Sequence, residues 1–547
     1  MLKKIYNLLE PADRKKCAGL VIVVFMVSML NFAGLASIFP LLKIVLDGNH
    51  GDFNVGLVMF GILVFIVVKN LAVFLLNRVQ TKFLLQQFRH FSYQLFCRYY
   101  QRGLLFIRDK GAVRLTNDVN SLCLTFSVSV LQSILSIMGD SILAILVFAA
   151  LAIMSPLASL FLLLACIPLF TFYWMVVRSK VREYGKDDLE ARRKQARTVS
   201  ESFRGFVELE VSNAFEIQVN RFIDGLDTIN QCRLKMDAVR AFPALLCEVA
   251  IILGLSLLIL VQDESQLLVG GVFALAAFRL MPSVRNILGC WTSLQQSSYC
   301  IDTLQRELEG DLENKVENKP LTFENELCAE NITFAYKDSA PTLKDFSCSI
   351  AKGECVGIQG QSGAGKSTLF NVLLGFFPVQ SGRVTVDGKA IDAQTVKAWH
   401  NMVGYVPQNV FILQAPLAEN IALGCETIDE ERVWKVLEQV QLKTWAEELP
   451  DGINTHMGEA GNRLSGGQRQ RIGIARALYK QAEVLFFDEA TSALDNETEH
   501  EINVTLRSLS ELRSELTMVI IAHRDTSLAF CDRIINISEM SNTEPSI

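Results

Sequence analysis

A chain of 547 residues, half of them hydrophobic, is too long for one ordinary domain and too apolar for an ordinary soluble protein. Its formal net charge of −6 offers none of the basic surface that binding a phosphate backbone requires, so nucleic acid is excluded as a partner. The 13 cysteines are scattered, without the paired spacing of a metal site, and read as small buried hydrophobes.

Six runs of about twenty apolar residues come first in chain order, near 17–41, 55–76, 128–152, 156–177, 241–261 and 267–289, each long enough to cross a bilayer. The first follows Lys15 and Lys16 and is too long for a leader's apolar core, so it reads as a span and not a cleaved signal. Lys3, Lys4, Arg14, Lys15 and Lys16 precede it, and Arg78, Lys82, Arg89, Arg98, Arg102, Arg108, Lys110 and Arg114 lie between the second and third runs. The opposite connections, DGNHGDFN, MSP and QDESQ, carry no Lys or Arg. This asymmetry predicts a multi-pass membrane protein with both termini in the cytoplasm. The inner connections, 77–127 and 178–240, lack Pro and are rich in helix formers, which predicts that the spans continue as cytoplasmic helical stalks. An α-helical six-span transmembrane domain over 1–310 is the expectation.

A charged stretch, DTLQRELEGDLENKVENKP (302–320), leads out of this domain. Beyond it, short β-rich runs such as ECVGIQG and EVLFFDEA alternate with helical stretches, as an α/β nucleotide-binding domain over 326–547 requires. The final SNTEPSI reads as a loose tail.

Within that domain, GQSGAGKST (Gly360–Thr368) follows an apolar strand and opens a helical run. Gly360, Ser362, Gly363, Ala364, Gly365 and Thr368 belong to a loop whose backbone N–H groups turn toward phosphate. Lys366 reaches the β- and γ-phosphates of a nucleotide and Ser367 ligates Mg2+. Downstream, VLFF ends in Asp488-Glu489, two carboxylates at the C-terminal edge of a strand, where α/β sheets bind ligands. Asp488 suits the Mg2+ shell and Glu489 suits the polarising of an attacking water; two acids opening a loop is the plainer reading of the pair alone. Ser465, Gly466, Gly467 and Gln468 of LSGGQ precede the helical RQRIGIARAL, a second anion site in a chain with one Lys-bearing loop. Two half-sites point to a dimer.

These motifs together, in order GQSGAGKST, YVPQN, LSGGQ, FFDEATSALD and IIAHR behind six apolar runs, resemble the ATP-binding-cassette exporters over nearly the whole chain. The resemblance implies a homodimer whose cassettes pair head to tail, ATP with Mg2+ lying between the phosphate loop of one and the LSGGQ of the other. It assigns Gln408 to the Mg2+ shell and to catalysis, Tyr336 of NITFAYKD to adenine, Asp495 to the link between the two sites, and His523 to the sensing of γ-phosphate. Where such exporters carry glycine-glutamate-arginine-glycine before the signature, this chain reads GEAGN, with Ala460 in place of arginine and Glu459 retained.

RLTNDVNSL (114–122) and GFVELEVSNAFEIQVNRF (205–222) resemble the exporters' inner-loop segments. IVVKNLAVFLLN and AAFRLMPSVRN resemble the subgroup of lipid-linked oligosaccharide flippases and related lipid or peptide exporters, although DGNHGDFN is too short for that flippase's extra external helix. Four ionisable residues fall at lipid depth: Lys69, Asp140, Glu248 and Arg279. Two readings stand: Lys69 and Arg279 bind an anionic headgroup, or they pair with Asp140 and Glu248 to fix helix packing. The function implied is ATP-driven export or flipping of an amphipathic substrate, a lipid-linked saccharide or related lipid first and a peptide or peptide-like product second, across a bacterial inner membrane. The spans exclude a soluble DNA-repair cassette, fusion of both parts in one chain disfavours an importer, and intact Glu489 and LSGGQ disfavour a non-hydrolysing regulator. No leader-cleaving peptidase domain is expected.

Overall fold

The structure, a computed structural model, describes residues 2–37, 55–261, 267–309, 318–458, 461–489, 496–512, 515–522, 524 and 528–537. The chain divides into two compact units, Met1–Asp311 and Leu312–Ile547.

The first unit is helical. Helix α1 (Leu2–Leu8) precedes α2 (Pro11–Ala36), which begins where Pro11 sets φ in a first turn that needs no N–H. Then come α3 (Val55–Gln101), the short α4 (Gly103–Lys110) and α5 (Ala112–Asn117), and two π-helical stretches, Asp118–Leu122 and Thr125–Leu131. Helix α6 (Gln132–Met154) stops at extended Ser155, and Pro156 opens α7 (Pro156–Arg204). After α8 (Phe206–Val211) follow α9 (Phe215–Val261), α10 (Leu267–Gln296) and α11 (Ser298–Leu308). A 47-residue helix such as α3 or α9 is about 70 Å long, over twice the hydrocarbon core, so each runs on past its apolar stretch as a stalk.

Among the described residues, three helical stretches, Pro11–Ala36, Gly56–Gln101 and Ala112–Met154, are long and apolar enough to cross a membrane. The expected spans near 156–177, 241–261 and 267–289 fall on α7, α9 and α10, where many side chains lie outside the described residues, so three of the six expected spans meet the length and apolarity of a crossing helix here. The connections DGNHGDFN and QDESQ also lie outside them. Leu57, Phe60, Leu63, Val67, Leu71 and Phe74 of α3 are all exposed, an apolar stripe that fits lipid and not water.

Below the apolar stretches, α3, the π-helical segment and α11 share a core in which Phe91, Leu95, Phe126, Val130 and Leu304 are fully buried. Phe91 meets Phe126 edge to face at 5.1 Å. The third apolar run is expected to start at 128, yet regular α-helix starts at Gln132. The buried Leu122, Phe126 and Val130, spaced four apart through the π-helical stretches, all face this core. Buried Asp118 in this segment accepts from Arg193 Nη2 at 3.1 Å and from the Tyr99 hydroxyl at 3.4 Å, so its charge is paired. Helices α7 and α10 touch at Gly185, where a Cβ would lie 2.4 Å from the Gln296 carbonyl oxygen.

The second unit holds two sheets. Strands β1 (Glu326–Ala335), β2 (Pro341–Ala351), β4 (Ser381–Val386) and β5 (Lys389–Ala390) form an antiparallel sheet in the order β2-β1-β4-β5. A parallel sheet joins β3 (Cys355–Gln359), β6 (Val403–Val406), β7 (Val484–Asp488), β8 (Thr517–Ile521) and β9 (Arg533–Asn536) in the order β6-β7-β8-β3-β9. All of VLFFD in β7 is buried, as an unbroken apolar run in a parallel sheet covered on both faces should be. Helix α12 (Lys366–Leu373) follows β3, and α13 (Val396–Met402) leads into β6. Helices α14 (Leu417–Ile421), α15 (Glu430–Gln439) and α16 (Lys443–Glu447) precede α17 (Gly466–Tyr479), and α18 (Asn496–Leu512) follows β7. A Cβ at Gly404 would lie 2.5 Å from that of Ala477, so glycine in β6 is what lets α17 rest on the sheet.

Trp399 of α13 is fully buried, donates its indole N–H to the Leu373 carbonyl at 3.0 Å, and stands edge-on to Phe486 and Phe323. Trp399→Ala should cost about 3–5 kcal/mol through the cavity it leaves. A lowered thermal midpoint of the full chain, read by loss of ATP binding, checks this.

Candidate nucleotide site

Strand β3 delivers the chain into the Gly360–Thr368 loop, and α12 begins at Lys366. Gly363 and Gly365 sit at φ 84° and 95°, left-handed conformations that favour glycine, and a Cβ at Gly365 would come 3.0 Å from Thr342 Cγ2. Lys366 is buried, and its ammonium donates to the carbonyls of Gly360 at 2.9 Å and Gln361 at 3.1 Å, which holds a positive charge within the loop. Ser362, Gly363 and Ser367 are exposed.

Strand β7 ends beside this loop. The Ser367 hydroxyl donates to Asp488 Oδ1 at 3.0 Å, and the Tyr405 hydroxyl donates to Oδ2 at 3.4 Å. Burial pushes the Asp488 carboxyl above the ordinary carboxylate range and neighbouring Glu489 adds to this, while Ser367, Tyr405 and Lys366 oppose it. A hydroxyl and a buried carboxylate at hydrogen-bond distance are hard oxygen donors of the kind Mg2+ takes alongside phosphate and water. Glu489, at left-handed φ 49°, turns the chain out of the strand, and the Gln408 side-chain amide donates to its Oε2 at 3.3 Å. Phosphate loop, Asp488, Glu489 and Gln408 are thus brought together.

Tyr336, just past β1, shares a hydrogen bond at 3.0 Å between its hydroxyl and Thr368 Oγ1, and its ring stands edge-on to Phe334 and Phe377. The ring is therefore fixed at the loop and not lost in the core. In the signature, Ser465 caps α17: its hydroxyl accepts from the Gln468 N–H at 3.1 Å while its own N–H donates to Gln468 Oε1 at 2.9 Å. Gly466 continues this exposed helix start and Gly467 is buried beneath it. Asp495, His523, Glu459 and Ala460 lie outside the described residues.

In the first unit, the charge of Arg279 is felt at both Lys69 and Asp140. Lys69 donates to Asn31 Oδ1 at 3.2 Å and Asn286 donates to Asp140 Oδ2 at 2.5 Å. Glu248 is exposed, and none of the four is ion-paired with another among the described residues.

A family profile for ABC transporters matches residues 343–492. The ATP-dependent lipid A-core flippase of Burkholderia pseudomallei is 28% identical over 527 residues, 91% of this chain and 85% of that protein. An uncharacterised ABC transporter ATP-binding protein of Bacillus subtilis is 39% identical over 233 residues, 42% of this chain but only 40% of that protein's length. Among solved structures, a bacterial Atm1-family ABC exporter with ATP bound superposes with a TM-score of 0.78 at 20% identity, covering 98% of this chain and 99% of that one. Residues 343–492 carry an ABC transporter ATPase domain, and over nearly its whole length the chain is similar to ABC exporters of the half-transporter type. The exporter is an ATP-hydrolysing transporter with a helical transmembrane unit and an ABC ATPase unit.

Two residues of the site have no role assigned by its motifs. Tyr405 precedes the Q-loop glutamine by three residues and reaches Asp488 because β6 lies beside β7. Gln470, two residues past the signature, donates to the Gln408 carbonyl at 2.7 Å, tying α17 to the Q-loop. Apolar alternation in β6 could have placed Tyr405, whereas nothing local signals Gln470.

Proposed function

We propose that two copies of this chain assemble in a bacterial inner membrane, each with six spans and with both termini and the ATPase unit in the cytoplasm, and flip or export an amphipathic lipid, a lipid-linked saccharide first among candidates. Full-length similarity to lipid A-core flippases supports the lipid reading. The meeting of Ser367, Asp488, Glu489 and Gln408 supports ATP hydrolysis as its drive.

In this reading, the amides of the Gly360–Thr368 loop and Lys366 hold the phosphates, Tyr336 stacks on adenine, and Ser465, Gly466, Gly467 and Gln468 of the partner complete each site. Ser367, Asp488 and Gln408 would hold Mg2+, which when bound neutralises phosphate charge. Glu489 takes the proton of the attacking water, His523 senses the γ-phosphate, and Asp495 links the two sites. ATP binding closes the cassette pair and hydrolysis reopens it, so access to the lipid alternates. ATPase stimulation of the purified exporter by a panel of lipids, lipid-linked saccharides and peptides tests the substrate; stimulation by peptides alone would put the peptide reading in its place.

Two cations at lipid depth, Lys69 and Arg279, need an anion, which supports an anionic headgroup there. Arg279→Ala should abolish stimulation by such a lipid. If Asp140 is instead the partner that Arg279 serves, the substitution strands a buried charge, and stability falls by about 3–5 kcal/mol while stimulation per folded molecule persists. Thermal unfolding measured beside stimulated ATPase separates the two.

A further inference from the structure

A cavity of about 710 Å3 opens in the first unit between α1, α6, α7, α10 and α11. This lies within the roughly 300–1,000 Å3 of small-molecule sites. It shares no residue with the Lys69 and Arg279 cluster.

Its lining combines two chemistries. Lys3, Lys4 and Arg182 contribute cations beside a single acid, Asp302. Asp302 already takes Lys4 at 2.6 Å and Arg182 at 3.5 Å, and Lys3 has no hydrogen bond or ion pair among the described residues. The local charge is therefore positive by two. Ile134, Ile137 and Met138 of α6 with Trp291 and Leu294 of α10 make its apolar wall. These α6 residues fall in the first two turns of an apolar span, and Lys, Arg and Trp are the side chains that gather where a span meets the headgroups.

A soluble anion would use the cations and leave the wall wet, and an uncharged acyl chain would use the wall alone. A phospholipid with a zwitterionic headgroup would bring a cation toward Lys3 and Arg182. We propose that this cavity holds one anionic phospholipid of the cytoplasmic leaflet, its phosphate toward Lys3, Lys4 and Arg182 and an acyl chain along Ile137, Met138 and Trp291. The leaflet rests on the membrane orientation proposed above; the ligand chemistry rests on the cavity. The lipid bridges α1 to α7 and to the junction of α10 with α11, which Asp302 also ties through Lys4 and Arg182.

Native mass spectrometry of the full chain in detergent, titrated with phosphatidylglycerol or phosphatidylethanolamine, measures the affinity of the first lipid bound per chain. The intact chain should prefer phosphatidylglycerol. Lys3→Gln and Arg182→Gln should each weaken it roughly fivefold, and the double variant roughly twenty-five-fold, from the worth of one cation near a charged headgroup. Phosphatidylethanolamine should bind alike to all. Lys186→Gln, which removes an exposed cation one turn along α7 outside the cavity, should leave the preference intact. Ile137→Trp, which fills the apolar wall and keeps every charge, should weaken phosphatidylglycerol as well. Equal affinity for both lipids, or an unchanged preference in the double variant, overturns the proposal, as does displacement of the lipid by millimolar inorganic phosphate. None of these results touches the exporter reading, which stands or falls on stimulated ATPase.

Discussion

Glu489→Gln should leave ATP binding intact and slow hydrolysis by roughly 10²–10⁴-fold, the usual worth of a positioned general base. The two carboxylates at the end of β7 are not equivalent. Asp488 is buried and takes hydrogen bonds from Ser367 and Tyr405, so it is fitted to stay in place and face a cation. Glu489 leaves the strand at left-handed φ and accepts a long hydrogen bond from the Gln408 side-chain amide at 3.3 Å. A glutamine there keeps size and shape but cannot accept a proton, so phosphate contacts made by the Gly360–Thr368 loop persist while the water loses its base. Steady-state ATPase and retention of labelled ATP on the same preparation check the split. Turnover within a fewfold of the intact chain would remove Glu489 from catalysis. Loss of ATP binding would instead make it structural.

What could be read from residues alone was whatever local chemistry forces. Gly363 and Gly365 have to be glycine where φ is positive, and the apolar VLFF has to be buried before two acids can emerge at a sheet edge. The absence of Pro from 77–127 and 178–240 likewise leaves helix as the cheap conformation, and α3, α7 and α9 are long for that reason. Pairings across sequence were hidden. Lys4 meets Asp302 across 298 positions, and no local pattern foretells it. Residue type alone left two readings for Lys69 and Arg279, an anionic headgroup or pairing with Asp140 and Glu248, and it gave no sign that Lys69 would donate to Asn31 and that Asp140 would accept from Asn286. The π winding of 118–122 and 125–131 was invisible because a spacing of four fits an α-helical face as well.

A mixed dimer of one Lys366→Ala chain and one Ser465→Arg chain should retain one ATP, where either variant paired with itself retains none. Lys366 carries the charge inside the phosphate loop, and removing it disables that loop. Ser465 caps the exposed start of α17, and an arginine there both uncaps the helix and blocks anion approach. If each nucleotide lies between the loop of one chain and the signature of the other, the mixed pair sorts its lesions unevenly. The Lys366→Ala loop meets the Ser465→Arg signature, so that site is broken twice. The loop of the Ser465→Arg chain meets the signature of the Lys366→Ala chain, and both are sound. If instead loop and signature of the same chain served one nucleotide, each site would carry one lesion and no ATP would be held. Placing Glu489→Gln in both chains prevents hydrolysis from emptying the sound site, and differently tagged chains allow the mixed pair alone to be isolated. One retained nucleotide per mixed dimer establishes the head-to-tail pairing, and none excludes it.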